Sequence, residues 1–278
     1  MPTVCGRRLA IELKRLRQAA ALTIGQVAAQ LECSDSKISR IESGRLAVAP
    51  RDARDLADLY DVPGELCDRL IQLARDSRQK GWWQVYGETA DAQVATYLDF
   101  ESAAEKICIY RTDRIPGLLR TDQYSRATFA ADWPGTPIRG ADQDAGYWAE
   151  QRQQACSTLP CLQVVLDEAA LRRQVGGRQV MREQLQRLVV LSTETCLQLQ
   201  VIPFAVDALV ETDLPFGILT FPDPADPDIV CVRYPTGALW IEDTAEVDKY
   251  HDHFRRLQAA ALPLGDTVAL IASVLKKV

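Results

Sequence analysis

Asp35, Ser36, Lys37, Ser39 and Arg40 fall within one short stretch of helical periodicity in which Ile38 and Ile41 take the inward positions. Polar side chains gathered on the outer side of a helix act through hydrogen bonds and charge. A DNA major groove admits one α-helix and displays donors and acceptors on its floor, so it could accept such a face. Gly44 follows where a helix end favours a left-handed residue, and Arg45 after it is placed to touch a phosphate. Arg17, late in one helical pattern, and Glu42, late in another, are suited to a bidentate ion pair that fixes the angle between their helices. That pairing makes Glu42 structural, because its free charge would repel a phosphate backbone.

The elements that must position these residues are short and well punctuated. Thr23 is a good N-cap for a helix from Ile24 to Leu31, Ser34 caps the next one, and Ala28 is small where two helices should approach closely. Apolar residues recur at helical spacing through Leu9, Leu13, Leu16, Ile24, Val27, Leu31, Ile38 and Ile41. Further helices are expected at Pro50–Tyr60 and Gly64–Arg78. The pattern breaks at Gly81, Trp82, Trp83 and Gly87, which sets a domain junction near 79–92 and gives an N-terminal domain of residues 1–80.

Beyond the junction, residues 81–278 read as a larger α+β domain with a mainly antiparallel sheet. A long helix is expected from Val94 to Tyr110 and another from Gly140 to Ser157. Strands are expected at 162–167, 197–203, 216–222, 229–235 and 238–243, where β-branched or alternating runs are bounded by Pro, Gly and Asp. Helices at Gly177–Thr195, Thr244–Ala261 and Gly265–Lys277 complete the reading.

The net charge of −6 conceals opposite halves. Residues 1–80 hold 14 basic and 11 acidic residues, or +3, which leaves 18 basic and 27 acidic residues, or −9, in 81–278. Only the first part could face phosphate comfortably. No stretch reaches the length of a membrane span and the opening residues lack the apolar block of a secretory signal, so a cytoplasmic protein is expected. The eight cysteines form no C-x-x-C pair and read as reduced core residues, and the two histidines, His251 and His253, lie on different faces of one helical segment. Neither a metal nor a cofactor is expected. Phosphate-binding glycine loops and nucleophile elbows are missing from the sequence, so an enzyme is not expected either.

Over roughly residues 9–62, and most specifically in the run Ser34 to Gly44, the sequence resembles the Xre-type helix-turn-helix regulators. The resemblance implies double-stranded operator DNA as partner. It makes Asp35, Ser36, Ser39 and Arg40 candidates for reading bases and Thr23, Gln26, Lys37 and Arg45 candidates for phosphate contact. Asp35 has an alternative role as a cap of its own helix. Two positions depart from the family pattern: Ile24 replaces a glutamine that touches phosphate, and Glu32 stands at a left-handed turn usually filled by Gly. A non-glycine residue there costs about 1–2 kcal/mol. One module makes few contacts, so a homodimer on two half-sites is expected.

Four separated blocks, YLDFESAAEKICIYRTDRIPGLLRT, VVLDEAALRRQVGG, VIPF and RLQAAAL, resemble the uncharacterised C-terminal domain of actinobacterial WhiJ-like and antitoxin-like transcriptional regulators. That resemblance implies a regulatory domain for a small protein partner encoded nearby or a small-molecule effector. The alternative is an antitoxin-like protein that sequesters the partner and binds DNA for autoregulation. IPGLLRT reads as a Pro-Gly turn leaving a helix, with Leu118 and Leu119 buried and Arg120 and Thr121 exposed. Glu101, Glu105, Arg111 and Glu168 read as solvated helix faces or charged partner contacts, and Tyr97, Phe100, Leu118, Leu119, Phe204 and Phe216 as core.

Overall fold

Where apolar residues recur every three or four positions between Leu9 and Ala74, the chain forms five helices: α1 Val4–Ala19, α2 Ile24–Gln30, α3 Asp35–Glu42, α4 Pro50–Leu59 and α5 Gly64–Asp76. The structure, a computed structural model, describes residues 3–78, 92–132, 161–193, 197–206, 214–223, 226–234 and 237–278. It divides into two units, Met1–Ala103 and Ala104–Val278. The first is wholly helical among the described residues and ends with α6, Ala92–Ala103. Its core joins Leu9 and Leu13 of α1, Val27 and Ala28 of α2, Ile38 and Ile41 of α3, Leu56 of α4 and Leu70 of α5. The expected junction around Trp82 and Trp83 lies outside the described residues, as does the expected helix at 140–157.

The second unit is built on a six-stranded sheet of order β3-β2-β1-β4-β5-β6. Its strands are β1 Lys106–Arg111, β2 Cys161–Asp167, β3 Leu197–Ile202, β4 Phe216–Thr220, β5 Ile229–Tyr234 and β6 Gly237–Ile241. β1 runs parallel to β2, and β2 to β3, whereas β1–β4, β4–β5 and β5–β6 are antiparallel. The α+β class with a mostly antiparallel sheet therefore holds.

The expected helix from Val94 to Tyr110 is corrected by this sheet. The helix stops at Ala103, and Lys106–Arg111 is instead a central strand paired on both sides. Ile107, Cys108, Ile109 and Tyr110 are all buried, so the strand shows a continuous apolar run and none of the alternation of a half-exposed strand. A 3-10 turn at Gly117–Leu119 follows, then α7, Asp122–Asp132, which the sequence does not signal, and, after β2, the short helix α8, Ala169–Arg172.

One face of the sheet carries Tyr110, Phe216, Ile218, Val230 and Val232 beneath α10, Thr244–Ala260, whose Val247, Phe254 and Leu257 close that core. Ile107, Ile109, Leu162, Val164 and Leu199 alternate to the opposite face and are also buried. There α11, Leu264–Leu275, packs against β3 and against α9, Arg178–Leu191. The link between α10 and α11 also closes the β3 edge. Leu262 N–H donates to the Val201 carbonyl at 2.8 Å and Val201 N–H donates to Thr267 Oγ1 at 3.2 Å. Pairing an edge in this way removes a template for aggregation. Among the described residues no single helix is long and apolar enough to cross a membrane; α10 and α11 would pass only as a pair, bent by 67°.

Candidate nucleic-acid interface

The turn between α2 and α3 depends on local capping. Thr23 and Gln26 form a capping box at the start of α2: Gln26 N–H donates to Thr23 Oγ1 at 3.2 Å, and Thr23 N–H donates to Gln26 Oε1 at 2.8 Å. The helix ends through Glu32 at φ +49°, with Cys33 N–H bonded to the Ala28 carbonyl at 2.9 Å. Glu32 therefore takes the left-handed conformation its position demanded, at the steric cost of a β-carbon. Ser34 Oγ then accepts from Lys37 N–H at 3.2 Å and starts α3.

In α3, Ile38 and Ile41 are fully buried while Asp35, Ser36, Ser39 and Arg40 are exposed. Asp35 and Ser39 stack four residues apart, and so do Ser36 and Arg40, giving two adjacent rows on one surface. Ser34 performs the capping, so Asp35 is not the cap of this helix; a β-carbon at Gly25 in α2 would lie 3.5 Å from its Oδ2. The helix closes at Gly44, φ +67°, and Leu46 N–H returns to the Arg40 carbonyl at 3.0 Å, leaving Arg45 exposed beside the helix end.

Arg17 and Glu42 hold α1 to α3. Arg17 Nε and Nη2 donate to the two Glu42 carboxylate oxygens at 2.6 and 2.9 Å, and Nη1 donates to the Leu22 carbonyl at 2.7 Å. Both side chains are largely buried; the two bonds to Glu42 fix the tilt of α3 against α1, and the third secures the turn that leads into α2. Lys37 has a less expected neighbour. Its Nζ lies 3.1 Å from Asp52 Oδ1 on α4, so a phosphate candidate already faces a carboxylate. Sequence reasoning missed Asp52; the only signal was an acidic residue just inside a helix beginning at Pro50.

The charged blocks of the second unit are engaged internally. Arg120, expected exposed, is half-buried: its Nε donates to the Ile115 carbonyl at 2.7 Å, its Nη1 donates to Thr128 Oγ1 at 3.1 Å, and its guanidinium lies over the Tyr124 ring. Thr121 is likewise half-buried, and its N–H donates to Gln184 Oε1 at 2.7 Å while Gln184 Nε2 donates to the Leu119 carbonyl at 2.8 Å. The turn leaves a strand, β1, and not a helix. Glu168 is 5% exposed, which removes it from any solvated face. It accepts from Arg172 Nε at 2.6 Å and from Phe204 N–H at 2.8 Å. Phe204 is 62% exposed and not a core residue, and Cys161 is exposed while Cys108 and Cys231 are buried.

A cleft of about 410 Å³ opens beside the ends of β4 and β5 against α10. In it Asp228 Oδ2 accepts from Thr220 Oγ1 at 2.9 Å and lies 2.7 Å from His251 Nε2. Burial works to raise the Asp228 pKa, but the bonds from His251 and Thr220 outweigh it and hold the carboxyl below its ordinary range. Among the described residues no group of three or more His, Cys, Asp or Glu could hold a metal ion.

Comparison with family models places a helix-turn-helix domain at residues 8–70 and a domain of unknown function, DUF5753, at residues 94–273, about two thirds of the chain. No curated protein and no solved structure shows a match.

Proposed function

Because this chain belongs to the family defined by the domain of unknown function DUF5753, and carries a helix-turn-helix domain ahead of it, we propose that it is a cytoplasmic, sequence-specific transcriptional regulator of Xre type. The observation that carries this reading is α3 itself: Asp35, Ser36, Ser39 and Arg40 form one exposed surface on a helix whose tilt is set by the Arg17–Glu42 pair. Arg40 has the donor fork to read a guanine and the serines can bond either a donor or an acceptor. Thr23, Gln26, Lys37 and Arg45 border that surface, where phosphates pass. Thr23 and Gln26 already bond each other through both backbone N–H groups, so contact with a phosphate would fall to the amide N–H of the Gln26 side chain.

Binding is by a homodimer, with two copies of α3 in successive major grooves about 34–36 Å apart. The DUF5753 domain senses a small protein encoded nearby or a small-molecule effector, in the manner of WhiJ-like regulators. The −9 charge of residues 81–278 favours a basic partner and supports the related reading of an antitoxin-like protein whose DNA binding is autoregulatory.

The test is selection of genomic fragments by the full-length protein at about 150 mM salt, where nonspecific contacts fade. A two-fold-symmetric site is expected, and Ser36→Ala/Ser39→Ala/Arg40→Ala should lose it. Enrichment of the same fragments by the triple variant would overturn the role of α3.

A further inference from the structure

We infer that Asp52 is a positioning residue for the DNA-binding face: it is an intramolecular competitor of the phosphate backbone for Lys37. The inference rests on the reading of α3 as the DNA-binding helix. Lys37 lies on the flank of α3, beside the inward Ile38 and four residues before the inward Ile41. Its backbone N–H is fixed by Ser34, and its ammonium reaches across to α4, 3.1 Å from Asp52. The two side chains are 37% and 31% exposed, so the pair is neither buried nor fully solvated.

That intermediate burial decides what the pair can do. A pair so accessible to water contributes little to folding and can open when a better anion arrives. A DNA phosphate bordering α3 is such an anion. It does not win the ammonium for nothing, because Asp52 is left unpaired beside a polyanion and recruits a cation from solution. Ordinarily a lysine that neutralises a phosphate releases a condensed counterion and adds about 0.9 to the slope of log K against log salt. At Lys37 the cation released from DNA is offset by the cation taken up at Asp52. Lys37 therefore counts for close to zero in the salt dependence of the wild-type protein, whereas exposed Arg45 counts in full.

Asp52 thereby limits the electrostatic strength of the interface without touching a base. It lowers affinity for all sequences alike and keeps the ammonium in one place beside the reading surface. The small positive balance of residues 1–80, +3, makes one cancelled charge a large share of the total.

The experiment measures the affinity of full-length protein for its selected site and for unrelated DNA between 50 and 200 mM salt. It compares wild type, Asp52→Asn, Lys37→Met and the double variant. Asp52→Asn should steepen both salt slopes by about 0.9, so that affinity gained on going from 200 to 50 mM salt is about three- to fourfold larger than in wild type. In the Lys37→Met background the same substitution should do nothing, and Asp52→Glu should restore the wild-type slope. Any general loss of stability from Asp52→Asn is common to both backgrounds and cancels from the comparison.

An unchanged slope in Asp52→Asn overturns the inference. So does equal steepening with and without Lys37, which would make Asp52 a direct repeller of phosphate. A wild type that prefers no sequence overturns the DNA-binding reading, and the inference with it, and shows itself before any variant is made.

Discussion

The two units use polar residues in opposite ways. In the helical unit the capping bonds at the helix junctions span few residues, as in Thr23–Gln26 and Ser34–Lys37, and Asp35, Ser36, Ser39 and Arg40 on α3 stay exposed. In the sheet unit several charged and amide side chains, Glu168 and Gln184 among them, are buried and tie together segments far apart in the chain. Gln184 bonds residues 63 and 65 positions away, and Glu168 holds the backbone of Phe204. Several large apolar side chains there stay exposed beside charged ones, among them Phe204, Tyr234 and Leu239. A small helical unit secures its surface by local capping and leaves it available for binding. A mixed sheet must secure crossovers over long distances and uses some of its polar side chains in doing so.

One non-local bond in the helical unit tests that contrast most severely. Glu42→Ala removes one partner of a pair whose side chains are 12% and 6% exposed, leaving the Arg17 guanidinium charged and poorly solvated. A loss of about 3–5 kcal/mol is expected, read from hydrogen exchange of α1 to α4. Exchange in β1 to β6 should not change if the units fold separately. A loss under 1 kcal/mol would mean that the pair does not hold the tilt of α3.

In the sheet unit the corresponding change is Gln184→Leu, which keeps side-chain bulk but strands the Thr121 N–H and the Leu119 carbonyl. One buried and one half-buried backbone group without partners should cost about 2–4 kcal/mol in urea unfolding of the sheet unit. The site bound by α3 should keep its sequence. A shift in site preference would show that the 3-10 turn communicates with the DNA-binding face.

Arg40→Ala and Arg45→Ala sharpen the functional side of the comparison. Both side chains are exposed, so neither change should alter stability. Arg40→Ala should cost about 1–3 kcal/mol of operator affinity and relax preference at one base position. Arg45→Ala should weaken all sequences alike and lower the salt slope by about 0.9. Gel shifts on matched and mismatched sites distinguish the two patterns, and an equal loss on every sequence for Arg40→Ala removes its base-reading role.

The same contrast explains what the sequence disclosed. Capping residues, the left-handed Glu32 and Gly44 and the inward isoleucines are all signals within a few positions of one another, so α1 to α5 were legible nearly to their ends. The strands β2 to β6 were legible through their bounding Pro, Gly and Asp. β1 was not, because it follows a helix with only two residues between and its run Ile107–Tyr110 is apolar on both faces. Only its pairing with β2 and β4, 55 and more than 100 residues on, makes it a strand. Arg120 was misread as exposed because its aromatic and hydroxyl partners lie on α7, a helix that lacked strong signals. The Lys37–Asp52 contact was hidden for a related reason: fifteen residues and a turn separate two charges that no local spacing rule connects.

The smallest effect expected concerns Tyr60, which follows α4 and belongs to the helical core. Its hydroxyl is buried with no hydrogen-bond partner among the described residues. Burial, assisted by the nearby Glu42 charge and opposed by Arg17, pushes its pKa up to about 12. The hydroxyl thus stays protonated through ordinary pH and contributes a donor that bonds nothing. A typical buried tyrosine loses about 1 kcal/mol on conversion to phenylalanine because a bond is broken. Here Tyr60→Phe removes an unsatisfied group while the ring keeps its contacts, so the helical unit should gain up to about 1 kcal/mol or stay unchanged. Thermal melting resolves the sign, and a clear loss would mean that the hydroxyl has a water or protein partner near the Arg17–Glu42 pair and belongs to the same hinge between α1 and α3.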